Sequence, residues 1–90
     1  MARDELIAAS EVLSEAADQV EDETVRDRLL EQADQLTTLA ERDRDPDHGR
    51  LDRHQHSLRE LQSAADEETA ERIDTANDHI NAYRKTVEGV

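Results

Sequence analysis

The stretch Arg42-Asp43-Arg44-Asp45-Pro46-Asp47-His48-Gly49-Arg50 lies at the middle of a chain of 90 residues. It contains the only proline and one of the two glycines. A proline directly after an aspartate is typical of a helix that begins behind an aspartate cap. Because long segments with helical apolar spacing flank this stretch, we predict a hinge at 42–46 that joins two antiparallel hairpins, 1–41 and 47–90, in a single domain.

The spacing of apolar residues predicts an all-α protein, a small four-helix bundle with helices at about 2–20, 24–41, 47–64 and 67–88. In each helix one apolar seam recurs at intervals of three or four residues. The seams are Leu6, Ala9, Leu13, Ala16 and Val20; Val25, Leu29, Ala33, Leu36 and Ala40; Leu51, His54, Leu58, Leu61 and Ala65; and Ile73, Ala76, Ile80, Tyr83 and Val87. Ile7, Val12 and Ala17 widen the first seam, and Leu30 and Leu39 flank the second.

Two acidic tetrads, Glu21-Asp22-Glu23-Thr24 and Asp66-Glu67-Glu68-Thr69, mark the starts of the second and fourth helices. Carboxylates are favoured there by the positive end of the helix dipole. Thr24 with Asp27 resembles a capping box. We expect a tight turn or a sharp kink at the first tetrad.

The two halves of the chain resemble each other. Leu6 aligns with Leu51, and Leu29 aligns with Ile73 at a shift one residue shorter, as if one residue had been lost at the second turn. The two acidic tetrads also align. Such self-similarity favours a duplicated hairpin, although two amphipathic hairpins align partly through their period alone.

Charge dominates the composition, with 24 acidic and 11 basic residues, a net charge of −13 and a pI near 4.5. Lys85 is the only lysine, and Phe, Trp and Cys are absent. In multimolar salt the Debye length is about 3 Å or less, so that neighbouring carboxylates barely repel one another. We interpret the composition as adaptation to high salt. Since no run is long enough to span a membrane and none suits a signal peptide, we expect a cytoplasmic protein.

The chain resembles a family of small acidic helical proteins of unknown function from halophilic archaea. The resemblance is carried by 45–51 (Asp-Pro-Asp-His-Gly-Arg-Leu), 58–61 (Leu-Arg-Glu-Leu) and 83–90 (Tyr-Arg-Lys-Thr-Val-Glu-Gly-Val). It implies a helical fold and a cytoplasmic haloarchaeal origin. It supplies no activity, cofactor or catalytic residue.

Large apolar side chains are few for a domain of this size, which predicts a marginal core. We therefore expect a homodimer in which the second copy packs across helices two and four, with Tyr83 near the two-fold axis. Parts of Leu36, Leu39 and Tyr83 are expected near solvent in a single copy. The interface candidates are Leu36, Leu39, Ile73, Ile80, Tyr83 and Val87.

Histidines cluster after the hinge, but their spacing argues against a metal site. His54 falls on the apolar seam, while His56 lies about 200° around the helix and His48 about 9 Å along it. Asp43, Asp45 and Asp47 (candidate calcium-loop acids) lack the glycine and the acid that such a loop requires further on. We predict no metal and no cofactor.

Arginines make residues 42–59 the least acidic part of the chain: Arg42, Arg44, Arg50, Arg53 and Arg59. Guanidinium forks suit phosphates and carboxylates, yet a charge of −13 repels nucleic acid, and no aromatic platform is present for bases. We interpret the arginines as an ion-pair lattice with the interleaved aspartates, and leave open whether they bind an ion or anion.

Nucleophilic catalysis is the weakest hypothesis, because Ser10, Ser14, Ser57 and Ser63 lie in helices without a glycine-rich elbow. We expect no enzyme, but a helical assembly or protein-binding module. The alternative is an anionic mimic of nucleic acid that occupies a basic protein; direct binding to nucleic acid or to a membrane is not expected.

Overall fold

The computed structural model describes residues 3–42 and 48–88, apart from the side chains of His48, Val87 and Glu88. It contains four helices, α1 (Asp4–Gln19), α2 (Glu23–Glu41), α3 (His48–Ala64) and α4 (Glu67–Glu88). The prediction of an all-α four-helix bundle is confirmed, with every boundary within two residues of its expected place. Residues 43–47, including the predicted helix start at Asp45 and Pro46 and most of the hinge, lie outside the described residues.

The helices form two antiparallel hairpins, an N-terminal hairpin (α1–α2) and a C-terminal hairpin (α3–α4). The Arg3 guanidinium donates to the Arg42 carbonyl, which places the start of α1 beside the end of α2. Gln62 donates to the Ala70 carbonyl at 3.0 Å near the turn between α3 and α4. Across the hairpins, α1 packs closely on α4, while α2 and α3 form the least closely packed pair. The bundle measures 40 × 19 × 19 Å.

The core lies along the four predicted seams. All their described members are buried, apart from the half-buried Ala65, and His54 is buried among them at 8% exposure. Two flanking residues differ from expectation: Ile7 is 40% exposed and Leu30 is 44% exposed. Each lies one position beyond a buried seam residue, about 100° further around its helix, which turns it out of the core.

The exposure that we predicted for parts of Leu36, Leu39 and Tyr83 is wrong. These side chains are 0%, 3% and 1% exposed in a single copy, and Ile73 and Ile80 are fully buried as well. Buried alanines on α1 and α2 explain the difference, since small side chains let the helices approach closely enough to cover the large ones. The side chain of Val87 lies outside the described residues. The homodimer stays a prediction, but these buried residues are not its exposed anchors.

Aspartate caps begin the second helix of each hairpin. The Asp22 carboxylate accepts from the backbone N–H groups of Thr24 and Val25 at 2.9 and 3.2 Å. The capping box that we predicted between Thr24 and Asp27 is therefore wrong, because α2 begins one residue earlier and Thr24 already lies within it. Asp66 caps α4 by accepting from the backbone N–H of Thr69 at 2.7 Å.

The two turns differ by one residue. Residues 20–22 separate α1 from α2, whereas residues 65–66 separate α3 from α4. This difference accounts for the change of shift in the sequence alignment of the two halves. The duplication itself stays a prediction.

No helix within residues 3–42 and 48–88 is long and apolar enough to cross a membrane.

Candidate functional site

Three of the four helices carry a row of exposed carboxylates on the face opposite the core. Within each row the residues recur at multiples of three or four positions, which places them on one side of the helix. The acid rows are Asp4, Glu11, Glu15 and Asp18 on α1; Glu23, Asp27, Glu31, Asp34 and Glu41 on α2; and Glu67, Glu71, Asp74 and Asp78 on α4. Because α1 packs on both α2 and α4, the rows belong to three adjacent helices.

Helix α3 is the exception to this pattern of charge. It carries three exposed arginines, Arg50, Arg53 and Arg59, and two acids. Asp52 forms an ion pair with Arg84 of α4, and Glu60 lies 2.8 Å from the exposed imidazole of His56. Helix α3 therefore carries more arginines than acids, and its two acids pair with a residue of α4 and with a histidine of α3 itself.

A groove of about 350 Å³ separates α3 from α2. Three arginines line it, Arg42 at the end of α2 and Arg50 and Arg53 near the start of α3, and Asp34 contributes a carboxylate. The groove exists because α2 and α3 are the least closely packed pair of neighbouring helices. The structure therefore brings together three of the four described arginines that the sequence analysis singled out, and leaves Arg59 outside.

His54 and Leu39 form the buried part of the groove. The Nδ1 atom of His54 lies 2.7 Å from the Gln32 Oε1 atom, and because a carboxamide oxygen only accepts, the imidazole donates. Burial lowers the pKa of His54, and the charges of Arg50 and Arg53 lower it further. The neutral imidazole is thus favoured, and the positive charge of the groove resides on its arginines.

The predicted histidine cluster is divided by the structure. His54 is buried while His56 is exposed on another face of α3, and His79 pairs with Glu5 of α1 at 2.7 Å. Among the described residues, no group of three or more His, Asp and Glu side chains is arranged to hold a metal ion. The side chain of His48 and the aspartates at 43, 45 and 47 lie outside the described residues.

The candidate nucleophiles are dispersed. Ser10 and Ser63 donate to carbonyls of their own helices, those of Ile7 and Arg59, at 2.8 and 3.2 Å. Ser57 lines the groove between α2 and α3, and Ser14 lines a shallow surface depression beside Leu30. The structure brings none of these hydroxyls within hydrogen-bonding distance of a described imidazole.

Sequence analysis missed a polar seam between α3 and α4. Gln55, which is 3% exposed, donates to Asn81 at 2.9 Å and accepts from Arg84 at 2.8 Å. One turn before Asn81, the Oδ1 atom of Asn77 is buried without a hydrogen-bond partner among the described residues. The available signal was the recurrence of polar residues at positions 77, 81 and 84, which share a face of α4.

No curated protein and no solved structure matches this sequence. One family matches, over residues 1–86, and its description is a family of unknown function, DUF7553. That match ends at Thr86, two residues before the end of α4, so that it includes both hairpins and the groove between them. The chain therefore belongs to the family of unknown function DUF7553.

Proposed function

We propose that this protein is a non-catalytic helical module that binds a protein partner in a salt-rich cytoplasm, through the acid rows of α1, α2 and α4. The observation that carries the proposal is the segregation of charge. Exposed acids follow one face of each of three adjacent helices, whereas α3 carries three arginines and only two acids. Such segregated surfaces recognise partners of complementary potential and exclude others. The partner surface that fits is therefore basic.

Two exposed apolar side chains supply contacts that charge alone does not. Ile7 and Leu30 lie on the outer side of the N-terminal hairpin, and Leu30 borders a depression that also contains Asp27, Glu31 and Asp34. Apolar contacts within a polar rim are the usual composition of a protein interface. In molar salt, where ion pairs act over only about 3 Å, these contacts become the more important part of the interaction.

The homodimer is part of the proposal, on a surface that differs from the one first expected. The core is closed within one copy, and two acidic faces repel each other at low salt. A second copy is accommodated best against α3, which carries the fewest acids of the four helices, or at high ionic strength. Sedimentation in molar KCl tests this directly, and a monomer across the accessible concentration range would exclude the dimer without affecting the binding of a basic partner.

A second candidate function is mimicry of nucleic acid, which the same acid rows favour. Carboxylates four residues apart on a helix recur every ~6 Å along the axis, which gives a regular line of negative charge. The partner would then be a nucleic-acid-binding protein, held in its basic groove. Mimicry requires that partner and nucleic acid exclude each other, which binding through a separate surface does not.

The experiment is a capture of partners from the source lysate in molar KCl, with immobilised wild type and two variants. The first variant neutralises the row of α1 through Glu11→Gln, Glu15→Gln and Asp18→Asn, and the control neutralises Glu60→Gln on α3. The proposal is supported if a basic protein is retained by the wild type and by the control but is lost from the variant with the neutralised row of α1. Equal retention by all three would refute the acid rows as the binding surface.

Mimicry is distinguished in the same eluate. Duplex DNA added to the captured complex releases the partner if the acid rows occupy its nucleic-acid site. A ternary complex, or no release at a saturating concentration of DNA, contradicts mimicry and leaves the binding module as the function.

A further inference from the structure

We infer that the outer groove between α1 and α2 binds a basic amphipathic helix of a partner protein. The outer groove is defined by Ile7 and Ser14 on α1 and by Leu30, Ala33 and Thr37 on α2. This mode of binding rests on the proposed function, because it concerns the partner that the acid rows attract. It specifies which kind of segment of that partner makes the contact and which apolar side chains hold it.

The two large apolar side chains that are exposed among the described residues both lie on this groove. Leu30 lines a surface depression together with Ser14 of α1. Ile7 precedes Ser14 by two helical turns, so it lies on the same side of α1. The core is closed within one copy and includes neither Ile7 nor Leu30. Both side chains are therefore accessible to a partner.

The spacing of these side chains suits a helix that lies along the groove. Helices α1 and α2 are antiparallel and Ser14 lies beside Leu30, so Ile7 lies ~10 Å further along the groove. Residues seven positions apart on a helix are also ~10 Å apart along its axis. A partner helix with apolar residues at i and i+7 therefore contacts Leu30 and Ile7 together. An apolar residue at i+3 or i+4 lies over the small side chain of Ala33.

The charge around the groove determines the polar flanks of that helix. Asp27, Glu31 and Asp34 line the depression on α2, and the acid row of α1 follows the other edge. Arg26 lies at one end, where its guanidinium donates to the Val20 carbonyl at 3.1 Å and is held at the turn between the two helices. A partner helix with Lys or Arg on both sides of its apolar stripe is complementary to these edges.

The same charges disfavour two other occupants of the groove. A second copy of this chain would bring equivalent acids against these acids, and each copy carries a net charge of −13. That contact is repulsive except in concentrated salt. Nucleic acid is repelled for the same reason. A basic amphipathic helix is complementary both to the exposed apolar side chains and to the acids around them.

The test uses two synthetic peptides of about 18 residues, which form about five helical turns. Both contain the same lysines, arginines and leucines. In the patterned peptide the leucines recur at i, i+4 and i+7, whereas in the control peptide they are distributed around the helix. Fluorescence anisotropy of the labelled peptides measures Kd at about 0.2 M and about 2 M KCl. We expect the patterned peptide to bind one-to-one and at least about tenfold more tightly than the control peptide.

Variants separate the apolar contacts from the charges. Leu30→Ala is expected to weaken binding of the patterned peptide about tenfold, or ~1.4 kcal/mol, at both salt concentrations, because salt does not screen apolar contacts. Asp27→Asn combined with Asp34→Asn is expected to weaken binding mainly at the lower concentration. Asp74→Asn combined with Asp78→Asn on α4 changes the net charge equally and is expected to retain the wild-type affinity. Circular dichroism checks that each variant stays helical.

Three outcomes would overturn the inference. Equal affinity for the two peptides, or an equal loss in the α4 variant, would show that the acids attract basic chains without a helix site. Binding of the patterned peptide that is unaffected by Leu30→Ala would place it outside the outer groove. A wild type that sediments as a dimer and becomes monomeric on Leu30→Ala would show that a second copy occupies the groove. Partner capture with the α1 row variant tests the acid rows separately, so failure of the peptides alone rejects the helix and not the binding module.

Discussion

The two hairpins share one plan of packing, yet their inner surfaces are chemically different. The two helices of the N-terminal hairpin pack through buried leucines and alanines such as Leu13, Ala16, Leu36 and Ala33. The C-terminal hairpin is joined across its helices by amide and guanidinium groups, with Gln55 bonded to both Asn81 and Arg84. An apolar contact is non-directional, whereas a polar network fixes the register of two helices.

The difference extends to the outer surface. Helix α1 carries five acids and no basic residue, whereas α3 carries three arginines beside two acids. Both hairpins therefore bury apolar side chains, but the second adds a polar network between its helices and has a more balanced outer charge. We expect the first to depend on hydrophobic burial and on salt, and the second on hydrogen bonds that are less sensitive to salt.

The largest expected effect comes from matched leucine deletions in the two hairpins. Leu13→Ala and Leu58→Ala both remove fully buried side chains, and each is expected to lower the free energy of unfolding by about 2–5 kcal/mol. The loss is expected to be larger for Leu13→Ala, because the small alanines around Leu13 cannot move far enough to fill the cavity. Urea unfolding in molar KCl measures both free energies, and an equal or smaller loss for Leu13→Ala would contradict the closer packing expected in the N-terminal hairpin.

Salt is expected to act next most strongly, and unequally. Raising KCl from about 0.1 M to about 2 M screens the carboxylates, and a gain of ~1 kcal/mol corresponds to a rise in melting temperature of roughly 4–8 °C. Circular dichroism gives the melting temperature, and hydrogen exchange gives the protection of each helix. Protection is expected to rise more in α1 than in α3. A melting temperature independent of salt would refute salt adaptation, and a uniform rise would refute the contrast between hairpins.

A structural feature can be predicted from this sequence only where it produces a recognisable pattern of residues. The seams were predictable because burial of Leu6 or Ile80 follows a helical period. The burial of Tyr83 was not predictable. It depends on how closely α1 approaches its neighbouring helices, and the apolar spacing within one helix contains no information on that distance. The groove was predictable only in part: the arginines stand out in the sequence, but the spacing between α2 and α3 follows from packing in three dimensions.

Cap and network residues illustrate the same limit. Asp22 and Thr24 are both good caps, and sequence alone did not choose between them. The backbone of the turn decides, because it brings the Asp22 carboxylate to the N–H groups of Thr24 and Val25. Gln55 went unnoticed because one buried amide beside a seam leaves no periodic signal until its partner on α4 is known.

A smaller effect, of opposite sign, is expected at Asn77. Its Oδ1 atom is buried without a partner among the described residues, and such an atom costs about 1–3 kcal/mol. Asn77→Leu is therefore expected to stabilise the protein by about 1 kcal/mol, since the gain is offset in part by repacking. Asn81→Leu, which removes the bond to Gln55, is the matched control and is expected to destabilise. Destabilisation by both would show that Asn77 belongs to the polar network.

The smallest expected effect concerns the aspartate cap of α4 and its response to pH. Hydrogen bonds from the backbone N–H of Thr69 lower the pKa of Asp66 below its usual value. A carboxyl group whose pKa is lower in the folded than in the unfolded protein stabilises the fold above the unfolded-state pKa, and this contribution is lost as pH falls through the folded-state pKa. Melting temperature is therefore expected to fall more steeply on acidification in the wild type than in Asp66→Ala.

Asp66→Asn is the matched control for that comparison, because asparagine still caps a helix but does not titrate. It is expected to keep most of the stability at neutral pH and to share the shallower acid dependence of Asp66→Ala. Carboxyl-carbon shifts in an NMR titration report the pKa of Asp66 itself. If Asp66 titrates at its usual value, or if Asp66→Asn retains the steep acid limb, the cap of the C-terminal hairpin contributes nothing to the response to acid.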